Sequence, residues 1–309
     1  MPCPNGCSAD TCCCLPWEPI PIHEDGRGMS TATEPFLIRQ WKSVGPSSPW
    51  GSIKGLSQLA GDAVAGCTVD GVDSFMLVKE ALEAIEAGKR VNIKGWEYVA
   101  QGCDDAVHFD VQSECFLANN KSQLARKLSE VMRWVFVATP GTGSATHIDP
   151  LGTAACTWLT VGRKEWRMAS GAPAGVESLP SLFDCSSDLS SYRHLYYFTM
   201  EPGDLIFIPQ GCLHEVRNST TTIEVTHNFV LQPAAMWGEV RRALSLVMAY
   251  GALSPLENHP KVDSLLFGML MACLYGEVDM PEEVAVEAEK ARQCIDFTED
   301  DDDVDNNNS

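Results

Sequence analysis

From Trp134 to Val230 the sequence is cut into short apolar or alternating runs by Gly, Pro and Asn. Runs at 134–138, 146–149, 155–161, 164–168, 195–199, 205–208, 213–217 and 222–230 have strand length, and turn formers separate them. Many short strands joined by tight turns predict an antiparallel sheet closed or folded over on itself. The stretch 169–194 is too long for a turn, and an insertion of that length beside a functional site is expected to cover substrate.

Helical patterns flank this region. Residues 73–90 read as a helix, with Phe75, Leu77, Val78, Leu82 and Ile85 at helical spacing, Asp73 or Ser74 as cap and Gly88 as stop. A strand is expected over 91–93 and a second helix over 121–132. Ala234–Tyr250 is amphipathic, and a last helix is expected over 281–293. Ser264–Tyr275, capped by Asp263, is apolar all round, so it must be buried, either in the core or in a homodimer interface.

The expected organisation is a Cys-rich leader over 1–34, one domain over 35–230 with its core at 133–230, a helical region over 231–295 and an acidic tail over 296–309. The leader carries Cys3, Cys7 and Cys12–Cys14, whose spacing fits a disordered segment better than a zinc knot; acylation of the Cys triplet is a third reading. The thirteen cysteines form an odd set, and no basic-then-apolar leader precedes them, which argues for a reducing compartment, nucleus or cytoplasm. No run reaches membrane-spanning length. The formal net charge of −20 argues against binding nucleic acid through the overall field and favours basic partners.

His147 and Asp149 stand two apart, so in extended chain they project to one face. His214 follows the turn-rich stretch Pro202-Gly203-Asp204 … Pro209-x-Gly211 and is the candidate third ligand. Two imidazoles and one carboxylate on one face of a metal leave the opposite positions open, as in non-haem Fe(II) oxygenases.

The series Arg133-Trp134, the Gly-rich 141–143, His147-Ile148-Asp149-Pro150-Leu151-Gly152-Thr153, Gly162-x-Lys164-x-Trp166, Thr221-Thr222-Ile223 and Thr226-x-Asn228-Phe229 resembles the JmjC (Jumonji-C, cupin-type) oxygenases. Within that family it is most similar to the bifunctional arginine demethylase and lysyl-hydroxylase branch, over about 133–230. The resemblance implies a mainly β fold, a double-stranded β-helix (jelly-roll or cupin) core with C-terminal helices. It also implies Fe(II), 2-oxoglutarate as cosubstrate and O2, with His147, Asp149 and His214 on the metal.

By the same resemblance Lys164 and Thr226 take the far carboxylate of 2-oxoglutarate, although a strand-end Lys and a β-forming Thr are the plain alternatives. Asn228 shares the face of Thr226 and is expected to reach the chelator or a water beside it, while His227 points the other way. Ser144 stands where the branch has Thr, and Thr157 where it has Asn. Cys156 replaces a Trp and Cys212 an aromatic, so the pocket is reshaped around an intact triad. The implied reaction couples release of succinate and CO2 to oxidation of a protein C–H bond. Its outcome is Lys hydroxylation, or demethylation of an N-methyl Arg or Lys. A basic peptide substrate and a homodimer through the C-terminal helices are further expectations, and a cupin barrel that binds without turnover is the alternative.

Overall fold

Two sheets face one another across a common interior. The computed structural model describes residues 17–26, 28–43, 48–60, 62–98, 115–171, 179–184, 187–257, 259 and 262–295. The Cys3–Cys14 cluster and the acidic tail lie outside these residues. In chain order the strands are β1 (Glu18–Pro19), β2 (Ile22–His23), β3 (Phe36–Ile38), β4 (Val64–Val69), β5 (Val72–Leu77), β6 (Val91–Trp96) and β7 (Arg133–Ala138). They continue with β8 (Gly143–His147), β9 (Ala154–Val161), β10 (Lys164–Ser170), β11 (His194–Met200), β12 (Leu205–Ile208), β13 (Leu213–Asn218) and β14 (Thr222–Phe229). The helices are α1 (Ile53–Ala60), α2 (Val78–Glu86), α3 (Gln123–Val131), α4 (Pro233–Tyr250), α5 (Ser254–Glu257), α6 (Ser264–Leu274) and α7 (Glu282–Cys294).

The smaller sheet runs β1-β11-β10-β13-β8, and the larger β2-β3-β12-β9-β14-β7-β6-β4-β5. Alternation sorts the side chains between the two faces. Ala155, Leu159, Ile206 and Ile208 of the large sheet meet Trp166, Met168, Phe198 and Val216 of the small one, filling the space between them. The opposite face of the large sheet presents Cys156, Trp158, Phe207, Val225 and Phe229, and the helices close over it. This is the folded-over sheet expected from the strand pattern, and the jelly-roll core that the resemblance implies.

Met236, Val240 and Leu244 of α4 and Leu266, Met269 and Leu270 of α6 belong to that helical core. The apolar helix is therefore buried by its own chain, each large side chain removed from water contributing about 1.5–3 kcal/mol. Asp263 caps it, its Oδ1 accepting from the Leu266 N–H at 2.8 Å. Helix α4 also packs on the turn Pro150–Gly152, so the C-terminal helices brace the segment that carries Asp149.

Three expectations need correction. The helix expected over 73–90 begins only at Val78, and Val72–Leu77 is an edge strand paired with β4. The missed signal is Asp70-Gly71 between two alternating runs, both at positive φ (49° and 87°), the backbone of a tight hairpin turn. Phe75, placed in the apolar spacing of that helix, is 85% exposed. Residues 17–23, expected within the leader, instead add β1 and β2 to the two sheets, because the edges of β11 and β3 offer unpaired backbone groups.

The third correction concerns the described residues of the insertion over 169–194. Of these, Leu182, Leu189 and Tyr192 pack with Ala169 and Leu213 on the outer side of the small sheet, away from the interior. Glu215 clamps this segment, accepting from the Leu182 N–H at 2.7 Å and the Ser181 hydroxyl at 3.0 Å. Arg167 donates to the Leu182 carbonyl at 2.9 Å.

Candidate metal centre and pocket

His147 ends β8 and His214 lies in β13, and the two are register partners. Their rings are 4.1 Å apart between centroids. A bulge between His214 and Val216 bends β13 at this point. Next to it the strands approach so closely that a Cβ at Gly143 would lie 2.0 Å from the Val216 carbonyl oxygen. Asp149 follows in extended conformation (φ −60°, ψ 145°), just before the turn. Leu151 holds the left-handed conformation (φ 54°, ψ 20°) with its side chain buried. One ligand atom from each of His147, Asp149 and His214 lies within 4.8 Å of the others.

The donor set fits a divalent metal. His147 Nδ1 lies 2.8 Å from the Ala145 carbonyl, and His214 Nδ1 lies 3.1 Å from the Cys212 carbonyl. A carbonyl only accepts, so each Nδ1 carries the hydrogen and each Nε2 keeps its lone pair for a ligand. Both imidazoles use the carbonyl two residues upstream, the same local device in two strands. His214 Nε2 is 3.7 Å from Asp149 Oδ1, and Asp149 Oδ2 is buried with no hydrogen-bond partner. Burial, reinforced by the neighbouring His147, lowers the His214 pKa to about 4, so its imidazole is neutral at physiological pH.

The triad opens onto a small cleft between the sheets. Trp134, Phe136, Trp166, Ile208 and Val216 make its apolar walls. Ser144, Thr157, Thr226 and Asn228 are its polar ones, so all four of these expected residues gather here. Thr157 and Thr226 share a hydrogen bond of 2.9 Å. Asn228 donates to the Thr153 hydroxyl at 2.8 Å, leaving its own Oδ1 buried without a partner. His227 faces the other way and accepts from Arg133 Nε at 3.3 Å.

Lys164 is not a surface residue. It is 4% exposed and ion-paired across the interior with Glu224, which is 8% exposed. The pair joins the two sheets, Lys164 from β10 and Glu224 from β14. Glu224 itself lines the cleft, and its Oε2 has no hydrogen-bond partner. Sequence reasoning missed Glu224. The available signal was its place two residues before Thr226 and four before Asn228, which puts a carboxylate on the face assigned to the cosubstrate.

A jelly roll carrying two imidazoles on adjoining strands, and a carboxylate on the turn after one of them, is a cupin-type barrel with a candidate metal site. Residues 111–236 match the JmjC domain family. Over 116 residues, 32% of this chain and 12% of its relative, the protein is 30% identical to lysine-specific demethylase JMJ21 of Arabidopsis thaliana. It is 30% identical over 117 residues to the bifunctional arginine demethylase and lysyl-hydroxylase psr-1 of Caenorhabditis briggsae, covering 31% of this chain and 29% of the relative. To the human 2-oxoglutarate and iron-dependent oxygenase JMJD4 it is 28% identical over 135 residues, 37% of this chain and 31% of the relative. The matched segment thus spans less than a third of each of these proteins. Similarity is spread over several JmjC branches and does not single out the arginine demethylase and lysyl-hydroxylase one.

Proposed function

We propose that this protein is an Fe(II)- and 2-oxoglutarate-dependent oxygenase acting on a protein side chain. The observation that carries the reading is the convergence of His147, Asp149 and His214, with both Nε2 atoms free and an orphaned Asp149 oxygen, at the end of a cleft between the sheets. Fe(II) with 2-oxoglutarate and O2 supplies the oxidation of an unactivated C–H bond, with succinate and CO2 as coproducts. The chain's own residues hold the metal and shape the space beside it. Trp166 stacks on His214 with centroids 5.9 Å apart and fixes the ring plane. Trp134, Phe136 and Val216 give the cleft apolar walls.

Relatives named as lysine-specific or arginine-specific demethylases and as a lysyl-hydroxylase support a protein substrate presenting a Lys, an Arg or a methylated form of either. Hydroxylation of a carbon and demethylation at nitrogen need the same C–H oxidation and differ only in which carbon is presented. The acidic chain, formally −20, suits a basic peptide. A second reading, a barrel that binds without turnover, is favoured by one observation: Glu224 already occupies the ammonium of Lys164.

The test is succinate formation from 2-oxoglutarate by the purified protein with Fe(II), ascorbate and O2, beside His147→Ala. Turnover in the parent that disappears in the variant is expected. Metal binding without succinate formation, even with Lys- and Arg-rich peptides present, would move the protein to the binding reading.

A further inference from the structure

Glu224 stands in a place where a cosubstrate carboxylate would be its competitor. Lys164 is the buried cation that a distal carboxylate would need, and it is already ion-paired with Glu224. The cleft is lined by Glu224, with Lys164 on its far side. A second carboxylate arriving at this ammonium meets a like charge at close range in a poorly hydrated interior, where repulsion is large. Glu224 Oε2 adds an unsatisfied acceptor that seeks the same donors. Of the hydroxyls lining the cleft, those of Thr157 and Thr226 are already bonded to one another, with one hydrogen left to give.

Net charge gives the same result. With neutral imidazoles, Asp149, Glu224 and Lys164 leave a divalent-metal site at one net positive charge. A 2-oxo dicarboxylate brings two negative charges. A 2-oxo monocarboxylate brings one and balances the site. The metal end is unaffected, because chelation needs only the 1-carboxylate and the 2-oxo group.

We propose that Glu224 sets cosubstrate selectivity by occupying Lys164, so that the pocket accepts a 2-oxo acid through its chelating end and gains nothing from a distal carboxylate. This rests on the oxygenase reading of the site and adds to it the residue that decides which 2-oxo acids are favoured. Shifting the pocket toward 2-oxoglutarate then requires only that Glu224 lose its charge or its side chain.

The experiment measures equilibrium binding by calorimetry on the Mn(II)-loaded full chain, a metal that supports chelation without turnover. The two probes are 2-oxoglutarate and 2-oxopentanoate, equal in carbon count and differing in the distal carboxylate. The parent protein should bind both within about threefold of each other. Glu224→Gln and Glu224→Ala should each tighten 2-oxoglutarate by about tenfold or more and leave 2-oxopentanoate within about threefold. Adding Lys164→Met to Glu224→Ala should erase the gain, an outcome that a general loosening of the pocket does not produce. Glu224→Gln keeps the size and a hydrogen bond to Lys164, so it serves if the Ala variant folds poorly. A parent that already prefers 2-oxoglutarate by about tenfold, or variants without any change in preference, overturns the proposal and leaves the oxygenase reading standing. If every form binds Mn(II) but neither 2-oxo acid, the oxygenase reading falls and this proposal falls with it.

Discussion

His147 and His214 face one another as register partners across β8 and β13, each with its Nδ1 on the carbonyl two residues upstream. The pairing puts both imidazoles of the candidate metal centre on the sheet, with Asp149 on the turn that follows β8. Removing either imidazole should therefore abolish metal binding without moving the other ligand. Loss of an outer hydrogen bond to a ligand alone typically lowers affinity about 10–100-fold, so His147→Ala, His214→Ala or Asp149→Ala should each weaken Mn(II) or Fe(II) binding at least about 100-fold. Calorimetric titration checks this, with His194→Ala as control, since His194 pairs with Glu18 at the edge of the small sheet.

A pH dependence follows from His214. Its folded-state pKa lies near 4, below the usual value of 6.5, because burial and His147 oppose a second positive charge. Between those two values the unfolded chain binds a proton that the folded chain refuses. Stability of the metal-free protein should therefore be unaffected by this group above pH 6.5 and should fall as pH drops toward 4, by about 3 kcal/mol in total. Urea unfolding at pH 7 and pH 4.5 should show a larger loss for the parent than for His214→Gln, which has no proton to take up. Equal losses in the two proteins would count against the buried neutral imidazole.

Much of this was legible in the sequence, and the exceptions have physical causes. The strands from 134 to 230 were readable because turn formers bound each run, and the triad because strand periodicity puts His147 and Asp149 on one face. Lys164 was a candidate site residue only through motif spacing. That it is spoken for by Glu224 was not, because the partner lies sixty residues on, in the opposite sheet, and only the folded barrel brings them together. The strand at 72–77 was misread because Phe75, Leu77 and Val78 fit a helical stripe running on into the real helix, and the Asp70-Gly71 turn was given no weight. The insertion was expected over the site because length says nothing of which face a loop chooses. Glu215, alternating outward beside the inward His214, made that choice.

The Lys164–Glu224 pair also predicts a stability pattern. Removing one partner of a buried ion pair strands the other, typically at about 3–5 kcal/mol, whereas replacing both with apolar residues of similar volume is often neutral or stabilising. Lys164→Met should thus lower the unfolding free energy by about that amount, and Lys164→Met with Glu224→Leu should recover most of it. Denaturant unfolding of the four proteins of the cycle measures the coupling. A double variant as unstable as the single one would show that the pair itself joins the sheets.

Asp204 gives the last prediction. It ends the Pro202-Gly203-Asp204 turn ahead of β12 and is fully buried. Its carboxylate accepts from the backbone N–H of Glu201 at 2.9 Å and of Gln40 at 3.1 Å, and pairs with Arg39. It therefore closes its own turn and fastens the residues after β3 to the barrel. Asp204→Asn replaces one accepting oxygen with a donor facing other donors, so about 3 kcal/mol of stability should be lost, near the upper end for stranding a buried partner. The triad comes from β8, β13 and the turn after β8, none of which Asp204 holds, so Mn(II) affinity of the folded variant should stay within about threefold of the parent. Thermal or urea unfolding together with metal titration separates the two effects. Loss of metal affinity in a folded variant would mean that this turn shapes the site as well as the fold.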